Sequence, residues 1–225
     1  MKAKDVIVYN LELALEDGGC PLCHCLAKAT KRYLANFLYE SVNDPRIRDQ
    51  LRAAGGFCRE HAWVLQRMGD PLAHSIIYAD LIDAFCAELD QTAGVKRGGP
   101  SRLAVDQERV CAVCREEAAM EDRYVDGLLG ALRSGAFREK YRQTGCLCLP
   151  HFRKAYEPVR HKEAGAFLAE VQTAYLSRLS SELKEFIRKS DYRYAHELPG
   201  PERDAWIRAV RLWVGPWVSP QDVEA

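Results

Sequence analysis

Apolar residues recur at helical spacing along most of the chain, which predicts an all-α fold. Residues 5–17 carry apolar side chains three and four positions apart and stop at Gly18-Gly19, a typical helix C-terminus. Asp44-Pro45 places a capping side chain before a proline, which is typical of the first turn of a helix. No stretch shows the sustained two-residue alternation of a half-buried strand.

The first part of the chain is repeated later in the sequence. Residues 20–61 align with residues 111–151 at an offset of 91, which falls to 90 after a one-residue deletion. Both segments begin with Cys-x-x-Cys and end with Cys-x-x-His. We therefore predict two tandem duplicated helical units, each with its own metal site. The predicted bounds are 1–93 for the first repeat, 94–108 for a glycine-rich linker, 109–190 for the second repeat and 191–225 for a C-terminal helical extension.

Composition and charge narrow the class of protein. Hydrophobic residues make up 48% and charged residues 28% of the 225 residues, as in ordinary globular chains. The 32 basic and 32 acidic side chains cancel, so no strong field favours nucleic acid or acidic membranes. The first residues lack the apolar segment of an export signal, and no uncharged run is long enough to cross a bilayer. We expect a cytoplasmic protein without a membrane span, and we do not expect nucleic acid as a partner.

Nine cysteines are the unusual feature of the composition. Their number is odd and the chain shows no export signal, so a complete disulfide framework does not explain them. In each repeat, Cys-x-x-Cys is followed after 34 or 33 residues by Cys-x-x-His. Two such pairs complete a tetrahedron around a zinc ion, with an iron–sulfur cluster as the alternative. The candidate ligands are Cys20, Cys23, Cys58 and His61 in the first repeat, and Cys111, Cys114, Cys148 and His151 in the second.

We predict two zinc ions per chain, one in each repeat. Each ion would join the start of the long second helix of its unit to the start of the fourth helix. A zinc ion with four protein ligands has no free position for water or substrate. No Ser/His/Asp set, glycine-rich phosphate loop or paired-carboxylate motif stands out in the sequence. The expected role of the metal is therefore structural, and we expect a protein that is not an enzyme.

Three cysteines do not belong to the repeated ligand pattern. Cys25 and Cys146 each lie two residues from a candidate ligand. We expect them to be small buried thiols, with exchange against the neighbouring ligand in a redox switch as the alternative. Cys86 follows Phe85 in an apolar helix, and we expect it in the core.

The C-terminal extension carries a stripe of apolar side chains. Its members are Trp206, Ile207, Val210, Trp213, Val214 and Trp217, at spacings of three, four and seven residues. We expect this stripe to pack on the protein's own helices. The alternative is that it stays exposed and binds a partner, because tryptophan is enriched at binding hot spots.

The motifs are similar to those of a known sequence family. The similarity extends from about Tyr9 to Gly215 and includes GGCPLC, LYESVNDPRIRDQLRAAGGFCREHAW, CAVC, GCLCLPHF and ELKEFIRKSDYRY. In these motifs the chain resembles an uncharacterised bacterial family, domain of unknown function 6062. The resemblance implies a bacterial cytoplasmic protein whose eight candidate ligands match the Cys/His positions of the family, and it implies no activity. We expect a zinc-binding adaptor or scaffold that binds another protein, with a thiolate-based redox or metal sensor as the alternative.

Overall fold

The predicted all-α fold is confirmed in a computed structural model, which describes residues 3–93, 110–194 and 196–216. These residues form ten α-helices and no named strand. The predicted linker and Trp217 lie outside the described residues. The helices are α1 (Ala3–Glu16), α2 (Pro21–Asn36), α3 (Pro45–Ala53), α4 (Arg59–Arg67), α5 (Pro71–Ala93), α6 (Ala112–Ala131), α7 (Gly135–Thr144), α8 (Leu149–Tyr156), α9 (Glu163–Lys189) and α10 (Ala205–Val214). A π-helical turn (Phe37–Ser41) follows α2, and 3-10 turns span Glu157–Val159, Tyr192–Tyr194 and Pro201–Asp204.

The local sequence signals explain where several helices begin and end. The side chain of Asp44 accepts a hydrogen bond of 2.8 Å from the backbone N–H of Arg46, and Pro45 is the first residue of α3. After α1, Gly18 and Gly19 adopt φ angles of 74° and 76°, a conformation that favours glycine. Among the described helices, none combines the length and the apolar character that a bilayer crossing requires.

By its internal packing, the described chain divides into two compact units. Unit 1 contains residues 3–26, 121–194 and 196–216, and unit 2 contains residues 27–93 and 110–120. Each unit thus combines a segment of the first predicted repeat with a segment of the second. The duplication and its bounds (1–93 and 109–190) remain predictions about the sequence.

Each unit has its own hydrophobic core. In unit 1, α1 and α6 approach closely at Gly127, where a Cβ atom would lie 2.3 Å from Cγ2 of Ile7. The unit 1 core also contains two candidate ligands, Cys20 and Cys148, and the unit 2 core contains Cys111. The largest fully buried side chains of unit 1 include Leu11, Leu22, Leu128, Tyr141 and Leu168, and those of unit 2 include Leu34, Leu65 and Ile77.

The C-terminal extension packs on α8 and α9 within unit 1, but by a different face from the predicted one. The buried positions of α10 are Ala205 and Leu212, next to Leu179 of α9. Trp206 and Trp213 are 55% and 66% exposed, so the expectation that the tryptophan stripe packs on the protein is wrong for these residues. Small side chains such as alanine let α10 approach α9 closely, whereas an indole ring in the same position would keep the two helices apart.

The three remaining cysteines differ in their exposure to solvent. Cys25 and Cys146 are buried, as predicted. Cys86 is exposed, so its predicted place in the core is wrong. It lies on the solvent side of α5 beside Ile82 and Phe85, which are also exposed.

Candidate metal centres

The eight candidate ligands lie at the first turns of four helices. Cys20, Cys58, Cys111 and Cys148 directly precede α2, α4, α6 and α8, and the second ligand of each motif follows three positions later. At Cys58, the sulfur atom accepts a hydrogen bond of 3.5 Å from the backbone N–H of His61. The unpaired N–H groups and the positive dipole end of a helix N-terminus favour a thiolate over a thiol.

The structure brings these residues together in two groups of four. We call the group of Cys20, Cys23, Cys148 and His151 centre 1, and the group of Cys58, His61, Cys111 and Cys114 centre 2. Within each group, all ligand atoms lie within 4.8 Å of one another. Centre 1 belongs to unit 1 and centre 2 to unit 2.

This grouping corrects the predicted pairing. The repeat predicted that each Cys-x-x-Cys pairs with the Cys-x-x-His that follows it. Each centre instead combines the Cys-x-x-Cys motif of one repeat with the Cys-x-x-His motif of the other. The packing of unit 1 gives the physical reason. Cys20 and Cys148 lie in one hydrophobic core, and a backbone bridge between Gly19 and Gly145 joins the loops that lead to them.

The geometry of centre 1 fits a single tetrahedral ion. The Nδ1 atom of His151 lies 3.3, 3.2 and 3.2 Å from the sulfur atoms of Cys20, Cys23 and Cys148. The sulfur atoms of Cys23 and Cys148 are 3.6 Å apart. A zinc tetrahedron has edges of about 3.5 Å between nitrogen and sulfur and about 3.8 Å between two sulfur atoms, as its bond lengths require.

Centre 2 has nearly the same dimensions. The Nδ1 atom of His61 lies 3.2, 3.8 and 3.4 Å from the sulfur atoms of Cys58, Cys111 and Cys114. The sulfur atoms of Cys58 and Cys114 are 3.7 Å apart. Three sulfur donors and one imidazole are ligands that could hold a soft or borderline metal ion.

Without a metal ion, the ligands of each centre differ in their pKa values. Burial raises the pKa of Cys114 to about 12. Burial also acts to raise the pKa of Cys111, but hydrogen bonds, first among them that to His61, outweigh it and lower this pKa to about 6. Burial acts to lower the pKa of His61, yet its hydrogen bonds to Cys111 and Glu117 raise it to about 10. Centre 2 therefore favours a thiolate beside a protonated imidazole, a charge pattern that a divalent cation can replace.

The same asymmetry occurs in centre 1. Hydrogen bonds with Cys20 and Cys23 hold the pKa of Cys148 far below its usual value. Burial acts to lower the pKa of His151, but hydrogen bonds to Cys148 and Cys20 raise it to about 10.

Three residues around the centres were not identified from the sequence. The Nε2 atom of His61 lies 3.1 Å from a carboxylate oxygen of Glu117, and that of His151 lies 3.2 Å from one of Glu121. The side chain of Gln172 on α9 accepts a hydrogen bond from the N–H of Leu147 and donates one to its carbonyl, directly before Cys148. Glu117 could have been found from its position one helical turn after Cys114, because residues three apart share a helix face.

The two centres differ in how they are covered. In centre 1, a Cβ atom at Gly215 would lie 3.6 Å from the sulfur of Cys23 and 3.8 Å from that of Cys148, so the backbone after α10 covers the site. Only Cys23 of centre 1 is partly exposed. In centre 2, both Cys58 and Cys114 are partly exposed.

Comparison with known proteins places the chain in a family. A sequence model described as "Family of unknown function (DUF6062)" matches residues 4–219, which include both centres. The chain belongs to this family. It is also 30% identical over 202 residues to an uncharacterised 23.9 kDa protein in the xynA 3' region of Caldicellulosiruptor sp. (strain Rt8B.4), a match that covers 89% of this chain and 97% of that protein. No solved structure matches the chain.

Proposed function

We propose that the protein is a non-enzymatic zinc-binding adaptor that holds two zinc ions, one in each centre. The observation that carries this proposal is the spacing of the ligand atoms, which matches the edges of a tetrahedron around one ion. An iron–sulfur cluster divides its four protein ligands among two or four iron atoms, so ligands on different iron atoms are spaced more widely than around one ion. Three thiolates and one imidazole also suit zinc better than harder cations.

A structural role for zinc follows from the closed ligand set. Four protein ligands leave no coordination position for water or substrate. The cysteine ligands also lie in the hydrophobic cores or against them, where the metal would stabilise the packing of α2 with α8 and of α4 with α6. Structural zinc contributes on the order of 10 kcal/mol of apparent binding free energy, which is comparable to the stability of a whole domain.

The adaptor role is supported by an exposed apolar face on α5. Tyr78, Ile82 and Phe85 are 36 to 59% exposed and lie at spacings of four and three residues. This heptad spacing is typical of a helix that packs along another helix. We infer that the partner is a protein that presents an apolar helix to α5. A cytoplasmic site of action agrees with this role, because the cytoplasm keeps free cysteines reduced.

Metal analysis tests the zinc assignment. The full chain is purified without oxygen and without added metal, and its metal content and visible absorption are measured. We expect two zinc ions per chain and a colourless protein. A brown protein that contains iron and sulfide would overturn the zinc assignment, and a chain without metal would overturn the whole proposal.

Site-specific photo-crosslinking in cells tests the adaptor role. A photo-reactive residue replaces Phe85 on the exposed face of α5, and the matched control carries it in place of the exposed Glu60 on α4. We expect a crosslink to another protein from position 85 and none from position 60. If position 85 gives no crosslink to any protein, the adaptor role fails while the zinc assignment stands.

A redox or metal sensor is the second candidate, and the partly exposed thiols of centre 2 favour it. Peroxide could oxidise Cys58 and Cys114 to a disulfide, since their sulfur atoms are 3.7 Å apart, and would itself be reduced to water. Loss of two ligands would release the zinc ion. We expect a sensor to lose one zinc ion at low peroxide and to recover it after reduction. A protein that keeps both ions under this treatment is not such a sensor.

A further inference from the structure

Each ligand histidine has a carboxylate on the side of its ring that faces away from the sulfur atoms. In both rings, Nδ1 faces the three thiol groups and Nε2 faces the carboxylate. An imidazole that binds a metal through Nδ1 carries its proton on Nε2, and that N–H needs an acceptor when it is buried. Glu117 supplies the acceptor for His61, and Glu121 supplies it for His151.

We propose that Glu117 and Glu121 are positioning residues that hold His61 and His151 in the tautomer whose Nδ1 atom binds the metal. The inference rests on the proposed zinc-binding function and adds to it the two residues that orient the histidine ligands. A carboxylate in this position fixes the orientation of the ring and increases the electron density that the imidazole donates to the metal.

The repeat register shows that the two carboxylates are not copies of one another. At the offset of 91, Glu117 corresponds to Leu26, and Glu121 corresponds to Thr30. Each histidine therefore receives its carboxylate from a different position of the repeated motif. The same contact thus occurs at both centres although a different position supplies it at each, which favours a role for the contact itself.

Each carboxylate is in turn held by a second group. The hydroxyl of Thr30 donates a hydrogen bond of 2.7 Å to the same Glu117 oxygen that faces His61. The other oxygen of Glu121 accepts a hydrogen bond of 2.8 Å from Lys154. Glu121 thus shares its negative charge with a lysine, whereas Glu117 is held by a neutral hydroxyl. We expect the stronger effect on the metal from Glu117.

A carboxylate with a purely structural role would have different consequences. An ordinary ion pair between α4 and α6, or between α8 and α6, would stabilise the fold without changing how tightly zinc is held. It would also leave the ring proton of the histidine unaffected. The test must therefore include the zinc affinity of each centre and the state of each ring.

The experiment uses the full chain loaded with zinc, with Glu117→Gln and Glu121→Gln as reciprocal controls. Zinc transfer to a chelator gives the affinities, and nitrogen-15 NMR of the histidine rings shows which ring nitrogen carries the proton and which centre has lost its metal. We expect Glu117→Gln to weaken centre 2 by about 10- to 100-fold and to shift the Nε2–H signal of His61 alone. Glu121→Gln should do the same to centre 1 and His151. Thr30→Val should shift the His61 signal in the same direction as Glu117→Gln and by less.

The possible outcomes separate this inference from the proposed function. Wild-type protein without zinc would contradict the zinc-binding function itself. Wild-type protein with two zinc ions, together with variants of unchanged affinity and unchanged ring signals, would overturn the positioning role alone. Equal weakening of both centres by one substitution would also overturn it, because the effect would then be a general loss of stability.

Discussion

Centres 1 and 2 have the same four ligand types and nearly the same interatomic distances, but their surroundings differ. Centre 1 has one partly exposed ligand, Cys23, and the backbone at Gly215 covers it. Centre 2 has two partly exposed ligands, Cys58 and Cys114. The carboxylate beside centre 1 is paired with Lys154, and the one beside centre 2 is held by Thr30.

This difference indicates that the ligand set alone does not determine how a centre behaves. A chelator or oxidant must reach a sulfur atom to displace the metal, so exposure of the thiolates controls the rate. We expect centre 1 to hold its ion as a permanent part of unit 1 and centre 2 to exchange its ion more readily. The predictions that follow test the identity of the two centres first and their difference afterwards.

The largest effect concerns which motifs share an ion. Cys20→Ser combined with Cys148→Ser removes two ligands from centre 1, so the double variant should keep one zinc ion. Cys20→Ser combined with Cys58→Ser damages both centres, and this variant should lose both ions and the stability of both units, on the order of 10 kcal/mol for each. Elemental analysis measures the number of zinc ions per chain, and thermal unfolding followed by circular dichroism measures the stability.

The exposed Cys86 provides the matched control, because Cys86→Ser should keep both ions. The opposite pattern, with no ion in the Cys20/Cys148 variant and one ion in the Cys20/Cys58 variant, would show that each repeat binds its own metal. Loss of both ions from both variants would show that the centres do not form independently.

The next effect concerns the extension that covers centre 1. Leu212 is 6% exposed in the contact between α10 and α9, so Leu212→Ala should lower the free energy of unfolding by about 2 kcal/mol or more. Trp213 is 66% exposed, and Trp213→Ala should change the free energy of unfolding by less than about 0.5 kcal/mol. Urea unfolding of the zinc-loaded proteins compares the two. A larger loss of stability for Trp213→Ala than for Leu212→Ala would mean that the tryptophan face, and not the leucine face, contacts the protein.

A smaller effect is expected in the rate of metal exchange. Zinc should leave the wild-type chain in two phases in the presence of excess chelator, and the fast phase should belong to centre 2. A rate ratio on the order of ten-fold corresponds to a difference of about 1.4 kcal/mol in the barrier. Leu212→Ala should accelerate the slow phase only. A single phase, or a fast phase that remains in a chain with Cys58→Ser, would contradict the assignment.

The smallest effect concerns Glu202, which anchors the start of the extension. Its carboxylate accepts hydrogen bonds of 2.8 Å from the N–H of Gly200 and 2.9 Å from Lys189, and these contacts lower its pKa from 4.5 to about 2. A lowered pKa contributes stability above the unfolded value of 4.5, and this contribution is lost as the pH falls toward 2. Glu202→Gln should therefore lower the melting temperature of unit 1 by the same small amount at about pH 6 and about pH 8. A difference between these two pH values would indicate another titrating group.

Much of the fold could be predicted from the sequence because its signals are local. Glycine pairs such as Gly18-Gly19 end helices, and Asp-Pro pairs such as Asp44-Pro45 begin them. The spacing of the Cys-x-x-Cys and Cys-x-x-His motifs also identified the eight residues that the structure brings together. Local patterns were sufficient for both results.

The pairing of the motifs could not be predicted because both arrangements use the same ligand types. Whether Cys20 lies near Cys58 or near Cys148 depends on how distant segments pack, and no spacing in the sequence contains that information. The prediction of which face of α10 packs on the protein was wrong for a related reason. Its periodicity identified an apolar stripe, but the helix packs through Ala205 and Leu212 on another face, and periodicity alone does not show which apolar face meets a neighbouring helix.

The crossed pairing has a consequence for the order in which the centres form during protein synthesis. His61 and Cys111 of centre 2 are 50 residues apart in sequence, whereas Cys20 and His151 of centre 1 are 131 residues apart. A ribosome that adds about 5 to 20 residues per second needs about 2 to 7 s to advance from Cys114 to Cys148. All four ligands of centre 2 are therefore translated about 2 to 7 s before the last two ligands of centre 1. During that interval the thiols of Cys20 and Cys23 lack the other two ligands of centre 1, Cys148 and His151, and we expect them to be more open to oxidation than in the finished chain.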